Sequence, residues 1–361
     1  MRGAAVLLMI EAHALDAWTH PSARTGSGFG IAALLGGFAA PLFLWLAGMS
    51  AVLSASSTAR RTGSRGIAID RVLCRGLEIF ILAFLFRLQA FVVSPGSHPI
   101  TLFRVDILNI LGPAIAASAL VWGLVISVPA LVVTFGALSL AFSMLTPLAR
   151  DSSILGALPV WMGWYVRPAG EHTTFTAFPW VGFVFAGAAC GVLLSAASGG
   201  KARIRLHVGL ALAGLGLFGL GFYTASLPSI YAHSSFWTSS PTYFAIRVGI
   251  LMVAFSGMYA LACRLVPSPP VLRLLGRFGR SSLFLYWIHV ELVYGYVTWV
   301  IHRRLPLWGS AVAYVVFCAL MYGAVRLRDV VVQGWHRRGA LQLPVPHNRA
   351  NNRFVVPADQ A

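Results

Sequence analysis

Charge is what this sequence has least of. Only 10% of its 361 residues are Asp, Glu, Lys or Arg, against about 25% in a soluble domain. Acidic residues are the scarcer kind, ten against 27 basic ones, and Lys201 is the only lysine. A GC-rich bacterial genome accounts for that arginine preference as well as any function does. Cysteine is nearly missing too. Cys74, Cys190, Cys263 and Cys318 form no close pair, so neither a disulfide framework nor a cysteine-based metal site is expected. Apolar residues fill the space instead, at 58% of the chain with a mean hydropathy of +0.78. A pI near 11.0 invites nucleic acid as a partner. The arginines, however, are dispersed between apolar runs and form no stripe with interleaved aromatics, so no nucleic acid is expected. The composition excludes a soluble domain and predicts an all-α, polytopic integral membrane helix bundle in contact with membrane lipid.

Apolar stretches lie near 3–19, 30–55, 72–93, 105–125, 127–147, 178–197, 204–226, 242–264, 281–301 and 307–327, each long enough to cross about 30 Å of hydrocarbon. About ten transmembrane helices follow. With the N-terminus inside, the arginines outside are Arg24, Arg104, Arg150, Arg167, Arg303 and Arg304, and those within spans are Arg87 and Arg247. All others, with Lys201, fall on the cytoplasmic side. That bias satisfies the positive-inside rule and places both termini in the cytoplasm of a bacterial inner (cell) membrane. Fusing 105–125 with 127–147 into one kinked span reverses everything downstream and destroys the asymmetry. A cleaved signal peptide is not expected, because Glu11 interrupts the short apolar run Gly3–Ile10.

The longest external connection, 148–177, carries the apolar piece Ile154–Trp164, whose Trp161, Trp164 and the following Tyr165 suit a membrane interface. A lid over a cavity and a plain interfacial helix are both compatible with it. Residues 1–330 are expected to form the membrane domain, and 331–361, with Pro344 and Pro346, a flexible cytoplasmic tail. No internal repeat of the transporter kind is visible.

Ionisable groups inside apolar spans are costly and usually face a cavity or a partner. Glu11, His13 and Asp16 fall in the first span, Glu78 and Arg87 in the third, Asp106 at the start of the fourth, and His289 with Glu291 in the ninth. His13 and Asp16, three apart, share a helix face, and Glu11 points roughly opposite. A histidine beside a carboxylate is the arrangement of a general base with its orienting partner, or of an interior histidine tying helices together. Asp106 and Asn109 share a face with Arg104 at the external edge, which suits a polar cavity lining or interhelical hydrogen bonding. In the ninth span Ser282, Tyr286 and His289 lie along one face, with Trp287, Glu291 and Tyr294 on its neighbour. Arg60, Arg61, Arg65, Arg71 and Arg75 cluster at the cytoplasmic ends of the second and third spans. There they serve either topology or phosphate binding by guanidinium forks.

Ordered motifs add a resemblance. The run Arg2-Gly3-Ala4-Ala5-Val6-Leu7-Leu8-Met9-Ile10-Glu11-Ala12-His13 looks like the first span of bacterial membrane acyltransferases. It is followed by Gly37-Phe38-Ala39-Ala40-Pro41-Leu42-Phe43-Leu44-Trp45-Leu46-Ala47-Gly48 and Arg104-Val105-Asp106-Ile107-Leu108-Asn109-Ile110-Leu111-Gly112. Phe178-Pro179-Trp180 and Tyr286-Trp287-Ile288-His289 complete the series. Together they resemble the heparan-alpha-glucosaminide N-acetyltransferase catalytic-domain family over most of 2–325, although the acidic residue that usually precedes the Arg-Gly pair is missing. The resemblance implies an acyltransferase that moves an acetyl or similar group from cytoplasmic acetyl-CoA, a co-substrate and not a permanently bound cofactor. The acceptor would be a hydroxyl or amine of an extracytoplasmic glycan or glycolipid. It makes His13 the catalytic histidine with Asp16 beside it, and His20 a second candidate, since part of the family carries its active histidine further on. Arg71 and Arg75 become candidates for acyl-CoA binding, with Arg75 expected to matter more than the tail residue Arg337. Glu11, Arg104, Asp106, Asn109, Tyr286 and His289 become candidates for the substrate cavity. No metal is called for, and a homodimer is compatible. A proton-coupled transporter or lipid-linked glycan flippase would need the same spans and buried charges.

Overall fold

The structure, a computed structural model, describes residues 1–93, 98–153, 157–265 and 269–342, with side chains to 334. Its helices are α1 (Arg2–Trp18), α2 (Ser27–Gly36), α3 (Ala39–Thr62), α4 (Arg65–Val93), α5 (Ile107–Leu124), α6 (Val128–Met144) and α7 (Thr146–Asp151). They continue with α8 (Val160–Gly163), α9 (Ala177–Ala196), α10 (Gly200–Ala225), α11 (Pro241–Arg264), α12 (Pro270–Arg280), α13 (Ser282–Tyr294) and α14 (Leu307–Gln342). Among the described residues there is no sheet, only the isolated bridges Thr19–Leu305 and Val105–Thr173. Among the described residues, seven helical segments are long and apolar enough to cross a membrane, α2 and α3 counting as one. The shorter α6 and α13 are apolar as well, and α1 occupies the first of the ten stretches read from hydropathy.

The packing fixes relative directions. Gly76 of α4 meets Gly112 and Ala116 of α5, and Gly123 meets Ile69, so these two run antiparallel. Gly214 against Gly249, with Gly221 against Ile246, sets α10 and α11 antiparallel as well. By contrast α3 and α9 run parallel, and their backbones nearly touch. A Cβ on Gly48 would lie 1.8 Å from the Val184 carbonyl, and one on Gly187 1.8 Å from that of Trp45. Small residues are what allow helices to approach this closely in a bilayer, where no hydrophobic drive brings them together. The start of α1 rests on α12, with Gly3 against Leu275. Arg277 of α12 donates to Tyr322 of α14 at 3.0 Å, and Arg328 to Ser281 at 3.1 Å. The Arg2 end of α1 and the far part of α14 therefore share one face of the bundle, and the loop carrying Arg24 lies on the other.

Local chemistry explains where the elements depart from hydropathy. The second apolar stretch breaks at Gly36-Gly37, where a Cβ on Gly36 would strike Glu11 Oε2 and Ala12 of α1. The ninth stops at Gly295, whose Cβ would lie 2.1 Å from the Glu291 carbonyl, and continues to Ile301 as a 3-10 helix. The segment 270–280, expected as a loop, is the helix α12, with Arg273, Arg277 and Arg280 spaced along it. The 330/331 boundary falls inside α14, which carries on to Gln342. Pro344, Pro346 and the Arg337 side chain lie outside the described residues, as do 154–156 of the aromatic piece. Of that piece, Trp161 is exposed, and Trp164 is buried and stacked on His172 at 4.5 Å.

Candidate functional site

A cavity of about 1920 Å³ runs through the bundle. Its wall includes both Arg2 and Asp16 of α1, and both Arg71 and Arg87 of α4. At 1.5 Å per residue those pairs span roughly 21 and 24 Å, most of a hydrocarbon core of about 30 Å. The cavity therefore reaches from the Arg2 face to the opposite face.

Near its middle lies a hydrogen-bonded chain. His13 Nδ1 is 3.0 Å from the Tyr294 hydroxyl, and that hydroxyl donates to Asp16 Oδ2 at 2.8 Å. An ionised carboxylate only accepts, so the phenolic proton belongs to Asp16, and the Tyr294 oxygen must accept from His13 Nδ1–H. This fixes the tautomer and leaves the lone pair on His13 Nε2. Arg24 closes the chain, 3.7 Å from Asp16 Oδ1 and donating to the Asp16 carbonyl at 2.5 Å. Spacing alone suggested a direct His13–Asp16 contact. The structure interposes Tyr294, brought in by α13 packing parallel to α1 along Trp18 and Val293.

The other candidates separate. His289 does not sit on the cavity wall: it is fully buried behind His13, ring centroids 5.2 Å apart, with Nδ1–H donating to the Leu285 carbonyl at 2.7 Å. Its Nε2 finds no partner among the described residues. Tyr286 does line the cavity. His20 is exposed off the cavity and caps the short 3-10 turn Pro21–Arg24, accepting from the Ser22 amide. Glu11 is also off the wall, its Oε2 buried against Gly36 without a described partner. Asp106 lines the cavity and is ion-paired to Arg87, while buried Asn109 accepts from the Asp106 amide at 2.9 Å and so caps α5. Burial pushes the Tyr165 phenol above its ordinary value, against a hydrogen bond with Asn109 that pulls it down.

The basic cluster divides as well. Arg71 and Arg75 line the cavity, Arg75 beside Glu78 at 2.9 Å, and Arg2 joins them with its guanidinium on Ser50 Oγ at 2.8 Å. Arg65 instead closes the C-terminal end of α5, bonding the Trp122 and Val125 carbonyls and lying 4.2 Å over the Trp122 ring. Hydropathy put Arg247 within a span and Arg150 among the outside arginines without assigning either to the cavity, and gave no notice of Trp237; all three line the opposite half together with Trp180. Their positions depend on how loops fold over the bundle. Among the described residues no three His, Cys, Asp or Glu groups converge as a metal site.

The family model described as heparan-alpha-glucosaminide N-acetyltransferase, catalytic, matches residues 1–228. No curated protein matches the chain.

Proposed function

Since the chain belongs to the heparan-alpha-glucosaminide N-acetyltransferase catalytic family, we propose that it transfers an acetyl or similar acyl group from cytoplasmic acyl-CoA to a hydroxyl or amine of a glycan on the far side of the membrane. The observation that carries this reading is the single cavity joining an arginine-lined mouth to the opposite face past an oriented histidine. In this mechanism Arg2, Arg71 and Arg75 hold the polyanionic donor at the cytoplasmic mouth by charge-assisted hydrogen bonds, and the acyl thioester extends up the cavity. His13, eleven residues beyond Arg2, sits about 17 Å in, where donor and acceptor can meet. The acceptor oxygen or nitrogen attacks the thioester carbonyl as His13 Nε2 takes its proton. A bond from carbon to the acceptor forms, the carbon–sulfur bond breaks, and CoA leaves as a thiolate that recovers the proton from the imidazolium. Tyr294 and Asp16 hold the ring and stabilise its positive charge. The test is full-length protein in liposomes with labelled acetyl-CoA on one side and amino sugars on the other. Labelled sugar appearing with the wild type and not with His13→Ala supports the reading, and no transfer to any acceptor overturns it.

Two further results are expected. Arg75→Ala weakens acetyl-CoA binding by about tenfold or more, since one charge-assisted contact contributes about 1.5–3 kcal/mol, and Arg205→Ala, off the cavity, leaves it unchanged. Equal affinities in a calorimetric titration would return Arg75 to a topological role. Ser64→Cys, in the turn between α3 and α4, should be closed to membrane-impermeant thiol reagents in intact cells and open after permeabilisation. Labelling in intact cells would invert the orientation.

A further inference from the structure

A second opening lies beside the large cavity. On the Arg2 side of the bundle a groove of about 410 Å³ separates α4 from the α12–α13 junction and from α14. Farther from that face its two walls meet: Phe86 packs edge-on against Trp287 at 5.4 Å, and Trp287 Nε1–H donates to the Gln89 side chain. Closer to it α4 and α13 part, and Arg75, Arg280 and Arg328 line the gap.

The groove is ordered along its depth. On α4 Arg75 comes first, and Leu82 follows seven residues later, about 10 Å deeper. Across the gap Arg280 and Ser281 come first, then Leu283, Phe284 and Trp287 of α13. Both helices run away from the Arg2 face, so both walls present guanidinium at the mouth and apolar side chains inside. The mouth charges are unequally taken up. Arg75 has Glu78 at 2.9 Å. Arg328 reaches Asp329 at 3.5 Å, donates to Ser281 Oγ at 3.1 Å and lies 5.6 Å over the Phe284 ring. Arg280 is exposed, with no hydrogen-bond or ion-pair partner among the described residues.

A soluble anion would satisfy the mouth and leave the apolar walls bare. A zwitterionic lipid would cover the walls and bring its own cation to the arginines. A lipid with net negative charge matches both parts, its phosphate suiting guanidinium forks and its chains the walls. We propose that this groove binds an anionic phospholipid of the leaflet on the Arg2 side, with the phosphate held by Arg280 and Arg328 and an acyl chain laid along Leu82, Phe284 and Trp287. Basic pockets between transmembrane helices recognise lipid headgroups in this way. The binding does not depend on acyl transfer. It does adjoin the large cavity, since Arg75 and Leu283 line both.

The experiment is native mass spectrometry of the full-length protein in detergent, titrated with dioleoyl phosphatidylglycerol, dioleoyl phosphatidylcholine and glycerol 3-phosphate, with acetyl-CoA affinity measured in parallel. Phosphatidylglycerol should bind about tenfold tighter than phosphatidylcholine, and excess glycerol 3-phosphate should not displace it. Arg280→Gln and Arg328→Gln should each weaken phosphatidylglycerol about fivefold, the contribution of one basic residue facing an anionic lipid surface. Arg205→Gln, off the groove, should leave it unchanged. Arg280 has no partner to lose, so the melting midpoint of Arg280→Gln should match the wild type. Equal binding of the two lipids overturns the proposal, as does unchanged phosphatidylglycerol binding in Arg280→Gln. Displacement by glycerol 3-phosphate would make this a site for soluble phosphate, and a loss of acetyl-CoA affinity with lipid binding intact would make it part of the donor mouth. Either result also overturns the lipid site.

Discussion

His13→Ala lowers acyl transfer by about 10²–10⁴-fold and leaves acetyl-CoA affinity near the wild-type value. The rate loss follows from the chemistry removed. His13 Nε2 carries the one lone pair the hydrogen-bond chain leaves free, because Nδ1–H is committed to Tyr294 and the Tyr294 proton to Asp16. The affinity is retained because the arginines of the donor mouth lie on the other end of α1 and on α4. Tyr294→Phe should cost less than His13→Ala, since it breaks the orienting link and spares the base. Asp16→Asn should cost less again, because an asparagine oxygen still accepts from Tyr294 while the charge that stabilises the imidazolium is lost. His20→Ala should leave transfer unchanged, its ring being exposed and turned to Ser22. Single-turnover rates with labelled acetyl-CoA separate the four variants. Near-normal transfer by His13→Ala together with loss in His20→Ala would move the catalytic role to His20.

Hydropathy made the ten-helix bundle legible because each span must satisfy its own backbone in lipid and so announces itself as one apolar run. Helix periodicity likewise put His13 and Asp16 on one face. Periodicity within a helix carries no information about which other helix arrives at that face, so Tyr294, 278 residues from Asp16, stayed outside the first assignment of the pair. His289 shows the same limit from the other side. Its motif placed it beside Tyr286 on one face, yet only the packing of α13 on α1 decides that Tyr286 meets the cavity and His289 the core. Arg65 and Arg75, ten residues apart on α4, look alike in sequence. The carbonyls at the end of α5 claim the first, and the cavity receives the second. Breaks such as Gly36-Gly37 were invisible because glycine is common in transmembrane helices, and what makes it necessary here is the approach of Glu11 from α1.

Asp106→Ala should be the most destabilising of the cavity substitutions. Its carboxylate is ion-paired to Arg87, both side chains are largely buried at 14% and 12% exposure, and Arg87 Nε has no acceptor among the described residues. Arg87 is held on the cavity wall with little exposure, so deleting Asp106 removes its paired carboxylate and leaves a largely desolvated guanidinium, a loss of up to about 3–5 kcal/mol for buried pairs. Half of the α5 capping box survives, because Asn109 still accepts from the residue-106 amide, and the lost half, the Asp106 carboxylate accepting from the Asn109 amide, accounts for only about 1 kcal/mol. The reverse change, Arg87→Leu, should cost less, because the Asp106 carboxylate can take up a proton and become neutral. The double variant Arg87→Leu with Asp106→Ala should recover much of the loss, since no charge is then stranded. Unfolding midpoints in detergent give the four corners of this cycle, and coupling near zero would mean that the pair does not hold α4 to α5.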